Sequence, residues 1–439
     1  MNYDKRYEKL LSMLEEAGFE AYIVGGCVRD MLLGRPVSDF DITTNALPEQ
    51  VMEVFSGMKV VPTGIKHGTV TVLYDSEPFE ITTYRVDGNY TDSRRPDTVD
   101  FTSSLEEDLA RRDLTVNAMA MDIRGDIHDP FHGQEDLESG VLRCVGEPEK
   151  RFSEDALRIL RTVRFASVLG YRIDEKTEAA VLDMRANLDH ISHERCRDEI
   201  EKMIMGANFA ETALRYREII AQLIPEFRPC FDFQQRSKYH KYDVYEHIVR
   251  AVAAAPESLL LRMTMLLHDI GKPQMFRLDE NGTGHFKGHA GVSADIARDV
   301  MKRLRFDNSF IETVCTLIAM HSDEIGSEKH IRRIISRIGA DNLFLLLEVK
   351  KADNLAKCEF VLEENVYFDK CAETARELIR QGECMSLRQL AVNGNDMISL
   401  GLSGRDIGSA LDTLLGLVID ETLANEKESL IAYTKEELL

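Results

Sequence analysis

Asp39 and Asp41 flank Phe40 in the segment D-F-D, a spacing with specific chemical meaning. On a strand, alternate side chains point to one face, so both carboxylates would lie together, where two anions repel unless a divalent cation sits between them. Such a pair is a seat for Mg²⁺. Two ions there would lower the pKa of an attacking hydroxyl and neutralise a triphosphate leaving group, the clamp used for in-line phosphoryl displacement. A third carboxylate is expected on a neighbouring strand, and Glu80, in F-E-I-T-T-Y (79–84), is the candidate. Upstream lies Gly25-Gly26-Cys27-Val28-Arg29-Asp30. Its glycines, Gly26 among them, let backbone N–H groups approach phosphate oxygens, with Arg29 as a fixed positive partner. A lone D-x-D is usually a solvated strand end and a lone G-G a turn; the two in order are far more specific. The chain has neither G-x-x-x-x-G-K-[S/T] nor a strand-linked G-x-G-x-x-G, which removes the P-loop and dinucleotide-fold alternatives.

The elements that must position these residues form an α+β pattern. Up to about residue 122, strand-length apolar runs (AYIV at 21–24, GTVTVLY at 68–74, FEITTY at 79–84) mix with helical patterns and Gly/Pro punctuation. From about residue 147 onward, apolar residues recur at i, i+3, i+4, so the rest reads as all-α. At 439 residues, two to four closely packed domains are expected, with breaks near Pro225 to Pro229 and near Gly382. No stretch reaches the roughly eighteen apolar residues of a membrane span. The eight cysteines are scattered without C-x-x-C spacing and read as reduced thiols. A cytoplasmic location is expected. The net charge of −22 argues against nucleic-acid binding in general, but Arg143, Lys150, Arg151, Arg158, Arg161, Arg164 and Arg172 cluster within thirty residues, so a basic face on an acidic body is expected.

G-G-C-V-R-D and D-F-D are followed by R-R-D-L-T-V-N-A-M (111–119), D-P-F-H-G-Q-E-D-L (129–137), R-F-S-E-D-A-L-R-I-L-R-T-V-R-F (151–165) and S-H-E-R-C-R-D-E-I (192–200). This ordered set, from about residue 20 to about 200, resembles the class II tRNA nucleotidyltransferase and bacterial poly(A) polymerase superfamily. The resemblance implies a polymerase-β-type nucleotidyltransferase head with a mixed sheet and helices (1–145), a helical neck/body (146–230), and a helical tail that binds tRNA (356–439). It also implies Mg²⁺ at the head, CTP and ATP as substrates, and a tRNA 3′ end rather than DNA as acceptor.

In E-D-A-L-R-I-L-R-T-V-R, Asp155, Arg158, Arg161 and Arg164 recur every three positions, which predicts a slowly drifting stripe on one helix. An ordinary salt-bridge ladder would look similar. The chemistry allows more: an aspartate accepts from an exocyclic amine while an arginine donates to the adjacent ring nitrogen. Cytosine and adenine share that donor-acceptor order on their Watson–Crick edges; uracil and guanine reverse it. A site built this way discriminates on the order of 10⁴-fold. The resemblance assigns this templating role to Asp155 and Arg158, with Glu154 in support, and nucleotide contacts to Arg112, Arg161 and Arg164.

The polar, Tyr- and Arg-rich segment 82–101 resembles the loop that full CCA-adding members use for the final A, and T-G-I-K-H-G-T-V (63–70) resembles the tRNA-specific branch. Addition of C, C and A is therefore the leading expectation. A-only or CC-only addition in a two-enzyme system, and poly(A) synthesis, are the alternatives within the class.

A second constellation runs through the helical half: His247 in Y-E-H-I-V, His268-Asp269 in L-L-H-D-I-G-K-P, His289 in F-K-G-H-A-G, His321 in M-H-S-D and Asp353 in K-A-D-N. The order H…HD…H…H…D resembles the HD phosphohydrolase superfamily, and the resemblance implies an HD domain (235–355). Imidazole and carboxylate ligands suit Mn²⁺, Fe²⁺, Ni²⁺ or Mg²⁺ in a mono- or dinuclear site that activates water. The expected substrate is a phosphomonoester or cyclic phosphodiester, such as an RNA 3′ end in need of repair. Residues 390–408 and 423–431 resemble the tail of HD-bearing CCA-adding enzymes, with Gly404-Arg405 in place of the usual Gly-Pro. Rival readings are an HD signalling phosphohydrolase with a nucleotide-binding head, and a non-enzymatic RNA-binding protein.

Overall fold

The protein is described by a computed structural model covering residues 5–37, 40–87 and 99–439. It divides into two units, Met1–Pro225 and Glu226–Leu439.

The first unit opens with α1 (Lys5–Glu16), β1 (Ala21–Val24), α2 (Gly26–Leu32), β2 (Asp41–Thr44), α3 (Pro48–Val54), β3 (Lys59–Gly64), β4 (Thr69–Tyr74) and β5 (Glu77–Thr83). Then come β6 (Arg85–Asp87), β7 (Val99–Phe101), α4 (Leu105–Ala110), β8 (Ala120–Met121), β9 (Ile127–His128) and α5 (Gly133–Glu138). Seven strands form one mixed sheet in the order β3-β4-β5-β2-β1-β8-β9, in which β2 and β5 are parallel and the other pairs antiparallel. Apolar periodicity explains the core. Tyr7, Leu10, Leu11 and Leu14 place one stripe of α1 against Ile23, Ile42, Val70, Val72 and Ile81 of alternating strand positions. Asp41 and Glu80, at positions between those inward ones, are exposed. The segment expected as a loop at 82–101 begins and ends as a ribbon, β6 pairing with β7 antiparallel; residues 88–98 lie outside the described residues.

The helical part of this unit comprises β10 (Val141–Leu142), α6 (Pro148–Glu154), α7 (Leu157–Leu169), β11 (Arg172–Ile173), α8 (Glu175–Asp183), α9 (His193–Ile204), α10 (Phe209–Arg215) and α11 (Arg217–Leu223). The all-α expectation is corrected at one point, because β11 pairs in parallel with β10.

The second unit contains α12 (Val244–Ala254), α13 (Leu259–Leu267), α14 (Lys272–Met275), the hairpin of β12 (Arg277–Leu278) and β13 (Gly284–His285), and α15 (His289–Arg303). It continues with α16 (Asn308–Met320), α17 (Glu328–Ile338), α18 (Ala340–Leu355), α19 (Glu363–Arg380), α20 (Gly394–Ser399), α21 (Arg405–Ile419) and α22 (Lys427–Glu437). The hairpin is another departure from all-α, closed by Asp279 accepting from the backbone N–H of Asn281 and Thr283. α13 is buried continuously from Leu261 to Leu267 because α12, α15, α16 and α18 surround it. Its C-terminal end therefore emerges in the middle of a bundle, where His268 and Asp269 follow. No helix among the described residues is long and apolar enough to cross a membrane. All eight cysteines are free thiols.

Candidate functional site

In the first unit, Asp41 opens β2 and stands in register with Glu80 on the adjacent parallel strand β5. Side-chain alternation then sets both carboxylates on the face opposite the α1 core. Asp39 lies outside the described residues, so its expected place beside Asp41 is a proposal. Asp41 lines a cleft of about 450 Å³ that also gathers Gly26, Arg29, Arg112, Asp155, Arg158, Arg161 and Arg164, eight of the residues singled out above. Gly25, with φ +85°, admits Arg112 to this cleft: a Cβ there would stand 2.8 Å from the Arg112 Nη1. Arg29 is held by donating to Asn117 Oδ1 (2.5 Å) and to Asp30 (2.7 and 3.0 Å).

The templating segment departs from the single-helix expectation. α6 ends at Glu154, Asp155 is extended (φ −142°, ψ 104°), and α7 starts at Leu157. The carboxylate itself drives the break, since Asp155 Oδ1 accepts from the Leu157 backbone N–H at 3.0 Å, capping the start of the next helix. Asp155 therefore stands off the stripe formed by Arg158, Arg161 and Arg164. Arg195 of α9 donates to both of its oxygens, at 3.2 and 2.6 Å. Arg158 donates to Glu154 Oε2 (2.8 Å), to the Arg111 carbonyl (2.9 Å) and to the Arg151 carbonyl (3.4 Å), leaving two of a guanidinium's five N–H groups.

Arg161 donates to Asp113 Oδ2 (2.7 Å) and Arg164 to Glu199 Oε2 (2.6 Å), while the Arg164 guanidinium lies 3.6 Å from the Phe165 ring centroid. Burial disfavours charge on Asp113, but Arg161 and the hydrogen bonds from Asn117 and Arg161 outweigh it and hold the carboxyl below the usual range. Asp113, Asn117, Arg195 and Glu199 were not singled out from the sequence. Each lies inside a motif quoted there, which was the available signal.

In the second unit the six expected ligands converge. His247, His268, Asp269 and Asp353 offer one group of ligand atoms within 4.8 Å of one another; Asp269, His289 and His321 offer a second. Asp269 is common to both. Its Oδ2 lies 3.0 Å from His247 Nε2 and 3.2 Å from His268 Nε2, and its Oδ1 3.1 Å from His289 Nε2 and 3.5 Å from His321 Nε2. Asp353 Oδ1 is 3.1 Å from His247 Nε2. Every Nδ1 faces a backbone carbonyl: His247 that of Ala356, His268 of Met265, His289 of Phe286 and His321 of Ile318, at 2.7 to 3.2 Å. A carbonyl can only accept, so Nδ1 carries the proton and Nε2 presents its lone pair inward.

Asp269 Oδ1 and Oδ2 and Asp353 Oδ1 are buried without a hydrogen bond of acceptable geometry. Burial opposes their charge, yet the ammonium groups of Lys272 at Asp269 and Lys357 at Asp353 favour the anions and hold both carboxyls well below the usual range. Converging lone pairs and orphaned, anionic oxygens fit a divalent cation, one or two in number. Lys272, whose Nζ is 2.6 Å from Asp269 Oδ2, and Lys357, 2.6 Å from Asp353 Oδ2, were not singled out from the sequence.

The mixed sheet with its carboxylate-and-arginine cleft defines a polymerase-β-type nucleotidyltransferase head, followed by helices that carry an HD cluster. The comparisons agree. Residues 21–143 match the family described as "Poly A polymerase head domain", 170–231 "Probable RNA and SrmB- binding site of polymerase A" and 239–358 "HD domain". A CCA-adding enzyme of Lactobacillus helveticus is 52% identical over 219 residues, 50% of this chain and 54% of that protein. One of Geobacillus stearothermophilus is 51% identical over 205 residues, 47% and 50% of the two chains. The chain spans about half the length of the curated relatives it matches. The crystal structure of the Bacillus stearothermophilus CCA-adding enzyme in complex with CTP superposes with a TM-score of 0.75 at 30% identity, covering 99% of this chain and 97% of that one. The chain belongs to the CCA-adding enzyme family of tRNA nucleotidyltransferases.

Proposed function

We propose that this chain adds C, C and A to the 3′ end of tRNA, drawing on CTP and ATP, in the cytoplasm. The observation that carries the reading is the register of Asp41 with Glu80 beside a cleft that also holds Asp155 and Arg158. Asp39, Asp41 and Glu80 are the catalytic carboxylates of this reading. Asp39 and Asp41 would hold Mg²⁺, which supplies charge neutralisation at the triphosphate. The RNA 3′-oxygen bonds to the α-phosphorus, its proton passes to the carboxylate set, the bond to the bridging oxygen breaks, and pyrophosphate leaves. Gly26, Arg29, Arg112, Arg161 and Arg164 bind the nucleotide. Asp155 accepts from the exocyclic amine of C or A, and Arg158 donates to the adjacent ring nitrogen. The division into head (1–145), neck/body (146–230), HD (235–355) and tRNA-binding tail (356–439) is part of the same proposal.

Offering tRNA ending at the discriminator base, at C and at CC with each NTP separately, then sequencing the products, tests it. C, C and A in order support the proposal; A alone onto CC ends identifies an A-adding enzyme, and a long A tract a poly(A) polymerase.

The HD cluster supports a second activity, carried by the inward-facing Nε2 atoms and the orphaned carboxylate oxygens. His247, His268, Asp269, His289, His321 and Asp353 would hold a divalent transition metal or Mg²⁺, which supplies an activated water. The reaction is hydrolysis of a phosphate ester: the water oxygen bonds to phosphorus, the ester P–O bond breaks, and the departing alcohol takes the proton. Release of orthophosphate from p-nitrophenyl phosphate, lost in Asp269→Ala, checks it.

A further inference from the structure

The cavity over the HD cluster measures about 830 Å³, room for a nucleotide rather than for a phosphate alone. Its walls carry Lys272, Lys350 and Lys357 beside the ligand set, and its rim includes Tyr239. Tyr239 belongs to R-S-K-Y-H-K-Y (236–242), a run of alternating cations and rings in a chain of net charge −22. Arg236, Lys238 and Lys241 are exposed, and no carboxylate forms an ion pair with them among the described residues. Lys238 Nζ sits 5.0 Å from the Tyr239 ring centroid, and Lys241 Nζ 5.0 Å from that of Tyr242.

Tyr239 is 43% exposed and Phe360 55% exposed, and their ring centroids are 5.6 Å apart. The Cys358 N–H donates to the Tyr239 carbonyl at 3.0 Å, fixing the two segments side by side. Rings interleaved with unpaired cations are a surface on which single-stranded nucleic acid stacks its bases while its phosphates meet charge.

We propose that R-S-K-Y-H-K-Y and Phe360 form a platform for the last nucleotides of a single-stranded RNA whose 3′ end carries a phosphate, delivering that phosphate into the HD cavity. This rests on the phosphohydrolase reading of the HD cluster and adds the substrate class and the residues that recognise it. The bases stack on Tyr239 and Phe360, Lys238 and Lys241 meet the backbone, and the terminal phosphate enters the cavity over the HD ligand set.

The test uses the full chain and a short single-stranded RNA with a 3′-phosphate and 4-thiouridine as its last base. Irradiation followed by peptide sequencing is expected to give crosslinks within 236–242 or 358–362. Lys238→Glu with Lys241→Glu lowers that yield about tenfold or more, as expected from lost phosphate contacts. Tyr239→Ala with Phe360→Ala lowers the ratio of kcat/KM for the RNA to that for p-nitrophenyl phosphate by about tenfold, the size of one lost base stack. Tyr239→Trp, which keeps a stacking face, retains the crosslink and separates stacking from misfolding. Crosslinks confined to other peptides, or an unchanged ratio, overturn the platform. Crosslinks at these peptides with neither compound hydrolysed retain the platform and overturn the phosphohydrolase reading instead.

Discussion

The head cleft and the HD cluster solve the same problem, concentrating charge around phosphate, in opposite ways. In the head, Asp41 and Glu80 are exposed on strand positions facing away from the core, and the arginines are steadied by protein partners: Arg29 by Asn117, Arg161 by Asp113, Arg164 by Glu199. In the HD cluster, His247, His268, Asp269, His321 and Asp353 are all less than 9% exposed, with their lone pairs directed at one another. An open site can leave its carboxylates hydrated until substrate arrives. A buried one has already lost that hydration, so its oxygens stay costly until a cation replaces water. The head should therefore be sensitive in turnover and selectivity, and the HD cluster in metal content and stability.

The largest expected effect is in the head. Asp41→Ala lowers nucleotide incorporation by about 10³-fold or more, and Asp269→Ala does not reproduce that loss; equal losses from both in primer-extension assays would break the contrast. Next is selectivity. Asp155→Ala relaxes the choice of C and A over U and G by on the order of 10²-fold, more than it slows correct addition, as competing-NTP incorporation would read; unchanged selectivity refutes the templating role. Third is metal content. Asp269 serves both ligand groups, so Asp269→Ala abolishes bound metal in elemental analysis, and chelation of the wild type lowers the melting temperature of the HD-bearing unit. A chelator-insensitive melt would argue against a stabilising ion there.

The smallest effect concerns stability and pH. Asp113 is held below its ordinary 3.8 because Arg161 outweighs the cost of burial, so its contribution is full at neutral pH and is lost progressively as pH falls through and below 3.8. Asp113→Asn should cost about 2 kcal/mol at pH 7, and the gap between variant and wild-type melts should shrink toward pH 3. A gap that widens on acidification would invert the assignment.

Much of this was legible in residue order. AYIV became β1 as a unit, GTVTVLY supplied β4 and FEITTY β5, because alternation of one buried face is a local property. Glu80 could be named because a strand neighbour had to complete the carboxylate set, and the register with Asp41 agrees. The single helix expected through residues 155–164 failed for a reason outside local periodicity. Asp155 caps the helix that follows it and is held by Arg195, forty residues later. Residue types and spacing determined which side chains could carry chemistry and which elements would present them. Tertiary structure alone decided that Arg195 holds Asp155, that Asp269 faces two ligand groups, and that the Ala356 carbonyl fixes the His247 imidazole. These outcomes depend on distances between segments far apart in sequence, and a hydrogen bond or a ligand lone pair has meaning only once such distances are set.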